Sequence, residues 1–180
     1  MKRRPRVIDR TLIYQGRVIR LMRETFEIGG RRMTRETIQH PGAVVIVPVL
    51  DRARLLFVRQ YRRAIDRVLL EFPAGTLEPG EAREACARRE LEEETGYRAS
   101  RLRHIAQFYA APGVMSEQMT LYLAEDVQRG TAAPEPDEFI RPMVLPLETA
   151  LERIDSGTIC DAKTIIGVLL AQRLLARRRR

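Results

Sequence analysis

The sequence has no tryptophan, only two cysteines (Cys86 and Cys160) and only two histidines (His40 and His104). Without tryptophan, the aromatic faces available for stacking are smaller rings such as Tyr14 and Phe26. Two cysteines do not make a disulfide framework. Both sit in segments that read as helical and partly buried, and a reducing cytoplasm is the expected compartment. Two histidines, each in or beside a strand-like stretch, exclude a histidine-rich metal cluster and read as packing or capping residues. Lysine is also scarce. Lys2 and Lys163 are the only ones, so the net charge of +8 rests almost wholly on arginine. No stretch approaches the ~18 uninterrupted apolar residues of a membrane helix. No long apolar run follows the basic start Met1-Lys2-Arg3-Arg4-Pro5-Arg6, so neither a membrane span nor a signal peptide is expected.

What is present is a chain of 180 residues, 44% of them hydrophobic, which is enough for a real core. Outside Arg3-Arg4 and the run from Arg177 to Arg180 the arginines are dispersed. Such runs read as solvated tails, and no nucleic-acid module is recognisable. Arginine does suit a phosphate-rich small substrate, because its fork binds phosphate oxygens in pairs. Thr11-Leu12-Ile13-Tyr14 and Arg17-Val18-Ile19-Arg20-Leu21 flank Gln15-Gly16, and residues 24–28 and 33–39 flank Gly29-Gly30. Both patterns predict hairpins. The resulting small antiparallel unit, residues 1–40, is too short to bury its own core and is expected to pack on something else, such as a second subunit. Residues 41–180 form the main domain. There, residues 42–50, 55–60, 69–72, 102–109, 119–124 and 140–145 read as strands. A helix opens at Pro79-Gly80-Glu81 and stops at Gly96, and two closing helices cover residues 147–156 and 161–177. The irregular alternation points to an α/β fold with a mixed sheet between helix layers.

The segment richest in chemistry is residues 75–97, GTLEPGEAREACARRELEEETGY. Residues three and four apart share a helix face, so Glu90, Glu93 and Glu94 point to one side. Crowded carboxylates repel, and a hard cation relieves the repulsion. Mg²⁺ in particular takes oxygen ligands and is often shared between one or two carboxylates and substrate phosphates. On their own, such glutamates more commonly form a solvated acidic face, here paired with Arg88 and Arg89. The wider spacing favours chemistry: Gly75, Glu81, Arg89-Glu90-Leu91, Glu93-Glu94, then Gly96 followed by Tyr97. This pattern matches the Nudix box at every defined position, and the chain resembles the Nudix hydrolases.

The resemblance implies an α/β/α sandwich with a mixed sheet, preceded here by the antiparallel N-terminal unit. It implies that Glu90, Glu93, Glu94 and the backbone carbonyl of Ala74 hold Mg²⁺, with Mn²⁺ as the substitute. Glu93 also touches metal-bound water, while Gly75, Glu81, Arg89 and Gly96 are orienting or structural. The reaction it implies is attack of water on a diphosphate that links a nucleoside to a second group. Several phrases resemble the ADP-ribose pyrophosphatase branch: residues 40–44 (HPGAV), 58–62 (VRQYR), 71–75 (EFPAG), Pro112 placed sixteen residues after Gly96, and residues 156–164 (SGTICDAKT). That branch implies a homodimer with exchanged N-terminal strands. It also implies Arg62 at the diphosphate, Arg17 and Val18 near the adenosine, Arg35 at the substrate across the interface, and Gly113 and Glu117 at the terminal ribose. The catalytic base in this branch comes from an acidic loop. The candidates here are Glu135, Asp137 and Glu138, of which Glu138 aligns best. Other substrates stay open at this point, namely a GDP-sugar, a dinucleoside polyphosphate or an RNA 5′ end, as does a Nudix module that binds without turnover.

Overall fold

The computed structural model describes residues 4–51, 54–130 and 140–178. The chain divides into two compact units, Met1–Gly42 with Phe108–Gln118, and Ala43–Gln107 with Met119–Arg180.

In the first unit, strands β1 (Arg6–Gln15), β2 (Arg20–Ile28) and β3 (Arg31–Gln39) form an antiparallel sheet in the order β1-β2-β3. Gly29 and Gly30 both take positive φ, +56° and +75°, which is what a two-residue turn between twisted strands needs. The earlier turn is longer than the expected Gln15-Gly16 pair. The Gly16 amide donates to the Ile19 carbonyl at 2.9 Å, so Arg17 and Val18 lie in a loop rather than in a strand. Of the residues in these three strands only Met22 is buried, while Val7, Leu12, Ile13 and Tyr14 are exposed apolar side chains.

The second unit is built around β4 (Ala43–Pro48), whose six residues are all buried. Its β-branched run suits a strand covered on both faces. β4 pairs in parallel with β9 (Gln118–Arg129) and antiparallel with β7 (Ala74–Thr76). With β8 (Tyr97–Tyr109) they make a mixed sheet ordered β7-β4-β9-β8. A second sheet, β10-β5-β6, joins β5 (Arg54–Arg62), β6 (Arg67–Glu71) and β10 (Ile140–Pro146) antiparallel. Val44 and Ile46 pack with Cys86, Ala87 and Leu91 of helix α1 (Arg83–Thr95). Val47 lies on the alternate face of the strand, against Gly167 of helix α3 (Ala162–Arg178). The two faces of β4 are thus covered by different helices. Helix α2 (Leu147–Asp155) packs on α3 and β10.

Two local departures from expectation have simple causes. Helix α1 begins at Arg83, not at Pro79, because Gly80 at φ +79° and the Glu81 amide bonded to the Glu78 carbonyl form a turn first. Cys160 is exposed in the connection between α2 and α3 rather than partly buried in a helix. Helix α3 starts at a built cap. The Asp161 carboxylate accepts the Thr164 amide at 3.0 Å and the Thr164 hydroxyl at 2.6 Å. Among the described residues no helix is long and apolar enough to cross a membrane.

Candidate functional site

Helix α1 places Glu90, Glu93 and Glu94 on one side, and Arg89 ties that side together. Its Nε and Nη2 donate to the two Glu81 oxygens at 2.9 and 3.1 Å. Its Nη1 donates to Glu90 at 2.7 Å and to Glu93 at 2.9 Å. One guanidinium thus serves three carboxylates, using the rigid fork that a lysine lacks. The hydrogen bond from Arg89 brings the Glu81 carboxyl down to about 2, so Glu81 stays ionised and paired at any ordinary pH. The reciprocal bond from Glu81 holds Arg89 above its usual range. Glu81 also accepts the Glu78 amide at 3.1 Å, which anchors the turn before the helix. Burial, with Glu81 adding to it, pushes the Cys86 thiol up to about 12, so Cys86 is an inert filler at neutral pH.

The β7 strand supplies the opposing wall. The Ala74 amide donates to Glu94 Oε2 at 3.0 Å, and Glu94 is 3% exposed. At Gly75 an added Cβ would lie 1.8 Å from both Cδ and Oε1 of Glu90. This glycine leaves the space that the Glu90 side chain fills. Its φ is outside the left-handed region, so an alanine there carries no backbone strain. Gly75→Ala is therefore expected to displace Glu90 while leaving the fold intact. Turnover should fall at least about tenfold, with stability changed by no more than about 1 kcal/mol. Thermal denaturation and kcat/KM on the same preparation check this, and full activity would mean that the Glu90 position is not needed.

The donor chemistry fits a hard cation. The groups at hand are carboxylate oxygens, and the nearby sulfur is a buried, protonated thiol. Among the described residues no group of three or more His, Cys, Asp or Glu side chains is arranged to hold a metal ion by itself. Mg²⁺ does not require such a cage, since one or two carboxylates together with substrate phosphates commonly suffice.

The match to known proteins decides the family. The NUDIX domain model covers residues 39–165. The chain belongs to the Nudix family. It is 39% identical over 170 residues to the ADP-ribose pyrophosphatase of Bacillus subtilis, covering 93% of this chain and 92% of that one. It is 36% identical over 163 residues to the methanol dehydrogenase activator of Bacillus methanolicus, covering 89% and 88%. A crystal structure of an ADP compounds hydrolase superposes with a TM-score of 0.86 at 23% identity, covering 98% of this chain and 96% of that one. The chain is accordingly a Nudix hydrolase with the α/β Nudix fold.

Beyond the Nudix helix the same unit holds a second ionic cluster. Arg62 donates through Nε and Nη2 to the two oxygens of Glu71, at 2.8 and 2.5 Å. Lys163 donates to Glu71 Oε2 and lies 3.0 Å from Asp161 Oδ1. Burial is the largest single influence on Glu71 and opposes its ionisation, yet the bonds from Arg62 and Lys163 together hold the carboxyl below its usual range. The bond to Glu71 raises Arg62, with Glu94 and Asp161 contributing at a distance. Sequence reasoning singled out Arg62 and missed the roles of Glu71 and Lys163. The available signal was a lone carboxylate in the apolar run Val68-Leu69-Leu70-Glu71-Phe72, which must find cations if it is buried.

Five of the remaining expected residues belong to the first unit. Arg17 and Val18 sit exposed in the β1–β2 loop, and Arg35 is exposed on β3 opposite Glu24. Gly113 is exposed in a turn closed by the Val114 amide on the Ala111 carbonyl at 3.0 Å. Glu117 lies 3.6 Å from His40 Nδ1, which already accepts the Gly42 amide at 3.1 Å. Glu135, Asp137 and Glu138 lie outside the described residues.

Proposed function

We propose that this Nudix hydrolase cleaves the pyrophosphate bond of a nucleoside diphosphate sugar, ADP-ribose above all, releasing AMP and ribose 5-phosphate. In this reading it is a cytoplasmic homodimer that uses Mg²⁺, with Mn²⁺ as substitute. The observation that carries the reading is the Arg89 tether, one guanidinium holding Glu81, Glu90 and Glu93 beside a buried Glu94. Glu90, Glu93, Glu94 and the Ala74 carbonyl are the metal ligands. When bound, the ion supplies neutralisation of developing charge and activation of water at neutral pH.

The protein's own groups do the rest. Arg89 keeps Glu90 and Glu93 oriented without matching their full charge. Arg62, its guanidinium already aimed by Glu71, donates to diphosphate oxygens. Glu138 takes a proton from water as its oxygen bonds to phosphorus and the bridging P–O bond breaks. Arg17, Val18, Arg35, Gly113 and Glu117 line the nucleoside and ribose pocket, with N-terminal strands exchanged between subunits.

The test is phosphate-coupled turnover with Mg²⁺ on ADP-ribose, ADP-glucose, GDP-mannose, UDP-glucose, NADH and Ap4A, with EDTA as control. The expected result is EDTA-sensitive preference for ADP-ribose. Preference for another member of the panel keeps the Nudix chemistry and discards the pocket assignments. Silence on all of them, with substrate still bound, favours a nucleotide-binding module.

A further inference from the structure

Lys163 stands in an unfavourable place. It is one of two lysines in an arginine-built chain, and its side chain is 8% exposed in the first turn of α3. A helix N-terminus repels a cation, and a buried ammonium without anions is costly. Helix formation therefore gives no reason for a lysine here. Its anions are Glu71 Oε2 and Asp161 Oδ1. Glu71 does not need it for hydrogen bonding, because Arg62 already reaches both of its oxygens. What Lys163 changes is the charge. Arg62, Glu71, Lys163 and Asp161 sum to zero (two cations, two anions), and without Lys163 the cluster carries −1. Arg62 is the most exposed of the four side chains, at 38%, and it also feels Glu94.

We infer that Lys163 is a positioning residue for the substrate's diphosphate. It offsets the Glu71 and Asp161 carboxylates, so that the Arg62 guanidinium can be shared with an anionic substrate instead of being drawn wholly onto its own carboxylates. This rests on the reading that Arg62 contacts the diphosphate. A purely structural clamp between α3 and β6 would affect folding but not discriminate among kinetic constants.

The experiment is steady-state kinetics with ADP-ribose on Lys163→Met, Arg62→Ala and their double variant, with thermal denaturation alongside. Lys163→Met is expected to raise KM about tenfold with kcat within about threefold, the signature of lost binding shared by ground and transition states. The double variant should have the KM of Arg62→Ala alone, because Lys163 acts through Arg62. Asp161→Asn, which keeps a good helix cap and makes the cluster +1, is expected to lower KM. It carries the test if Lys163→Met does not fold. Additive effects in the double variant overturn the inference, as does an unchanged KM in Lys163→Met, or an unchanged or raised KM in Asp161→Asn. An unchanged KM in Arg62→Ala removes the diphosphate reading itself. A raised KM there without one in Lys163→Met leaves that reading standing and sinks this inference alone.

Discussion

Glu94→Gln is expected to lower kcat by about a thousandfold or more, the effect of losing several kcal/mol of charge stabilisation at the reacting phosphate. The substitution is chosen because the fold should hardly notice it. Glu94 is 3% exposed and accepts the Ala74 amide through Oε2. A glutamine offers the same carbonyl oxygen to that amide at nearly the same volume, so the contact between α1 and β7 persists. What disappears is the negative charge, and on the proposed metal role part of the affinity for a divalent cation goes with it. Removing the carboxylate should also shift the Mg²⁺ dependence, so that a high concentration recovers part of the loss if Glu90 and Glu93 still bind. Circular dichroism, thermal denaturation and a Mg²⁺ titration of turnover separate these effects. Wild-type turnover in a folded Glu94→Gln protein would remove Glu94 from the metal site. A protein that fails to fold would instead show that the fold itself needs this charge.

Where periodicity and turn chemistry acted locally, the fold could be read in advance. The buried run in β4, the Gly29-Gly30 turn and the stop of α1 at Gly96 all follow from residue type. Gly96 adopts φ +70° and donates to the Glu92 carbonyl at 2.8 Å, as a helix-ending glycine does. The spacing from Gly75 to Gly96 was equally legible, because a helix converts spacing into a shared face. What was not legible depends on distant parts of the chain. β7 is three residues, Ala-Gly-Thr, with no pattern of its own, and it is a strand because β4 offers an edge. Glu71 and Lys163 are 92 residues apart, and nothing local indicates that a lysine in a first helical turn will meet a carboxylate in a strand. Arg62 was recognised by its surrounding phrase, whereas the bidentate hold that Glu71 has on it appears only in three dimensions. The reason for Gly75 is likewise spatial. The sequence pattern requires a glycine, but the Glu90 side chain explains it.

The other large effect is expected at Arg89. Arg89→Ala removes one guanidinium from three carboxylates, leaving Glu81, Glu90 and Glu93 without their common partner. The group is neither fully exposed nor fully buried, at 29% side-chain exposure. The expected loss of stability therefore lies between the surface and buried cases, at about 2 kcal/mol. For a chain of this size that is a fall of roughly 4–8 °C in melting temperature. A metal ion that binds the released carboxylates stabilises only the folded state, so Mg²⁺ should recover more of the lost melting temperature in Arg89→Ala than it adds to wild type. Turnover should stay low, about a hundredfold down, even at saturating Mg²⁺, because Glu90 and Glu93 are no longer aimed. Arg89→Lys is the informative companion. It restores one positive charge but not the fork that bonds Glu81 through two nitrogens while Nη1 serves Glu90 and Glu93. Stability should therefore return in part and activity should not. If Arg89→Lys recovers both, net charge alone accounts for Arg89. If Arg89→Ala melts at the same temperature with and without Mg²⁺, the three carboxylates are not where the metal binds.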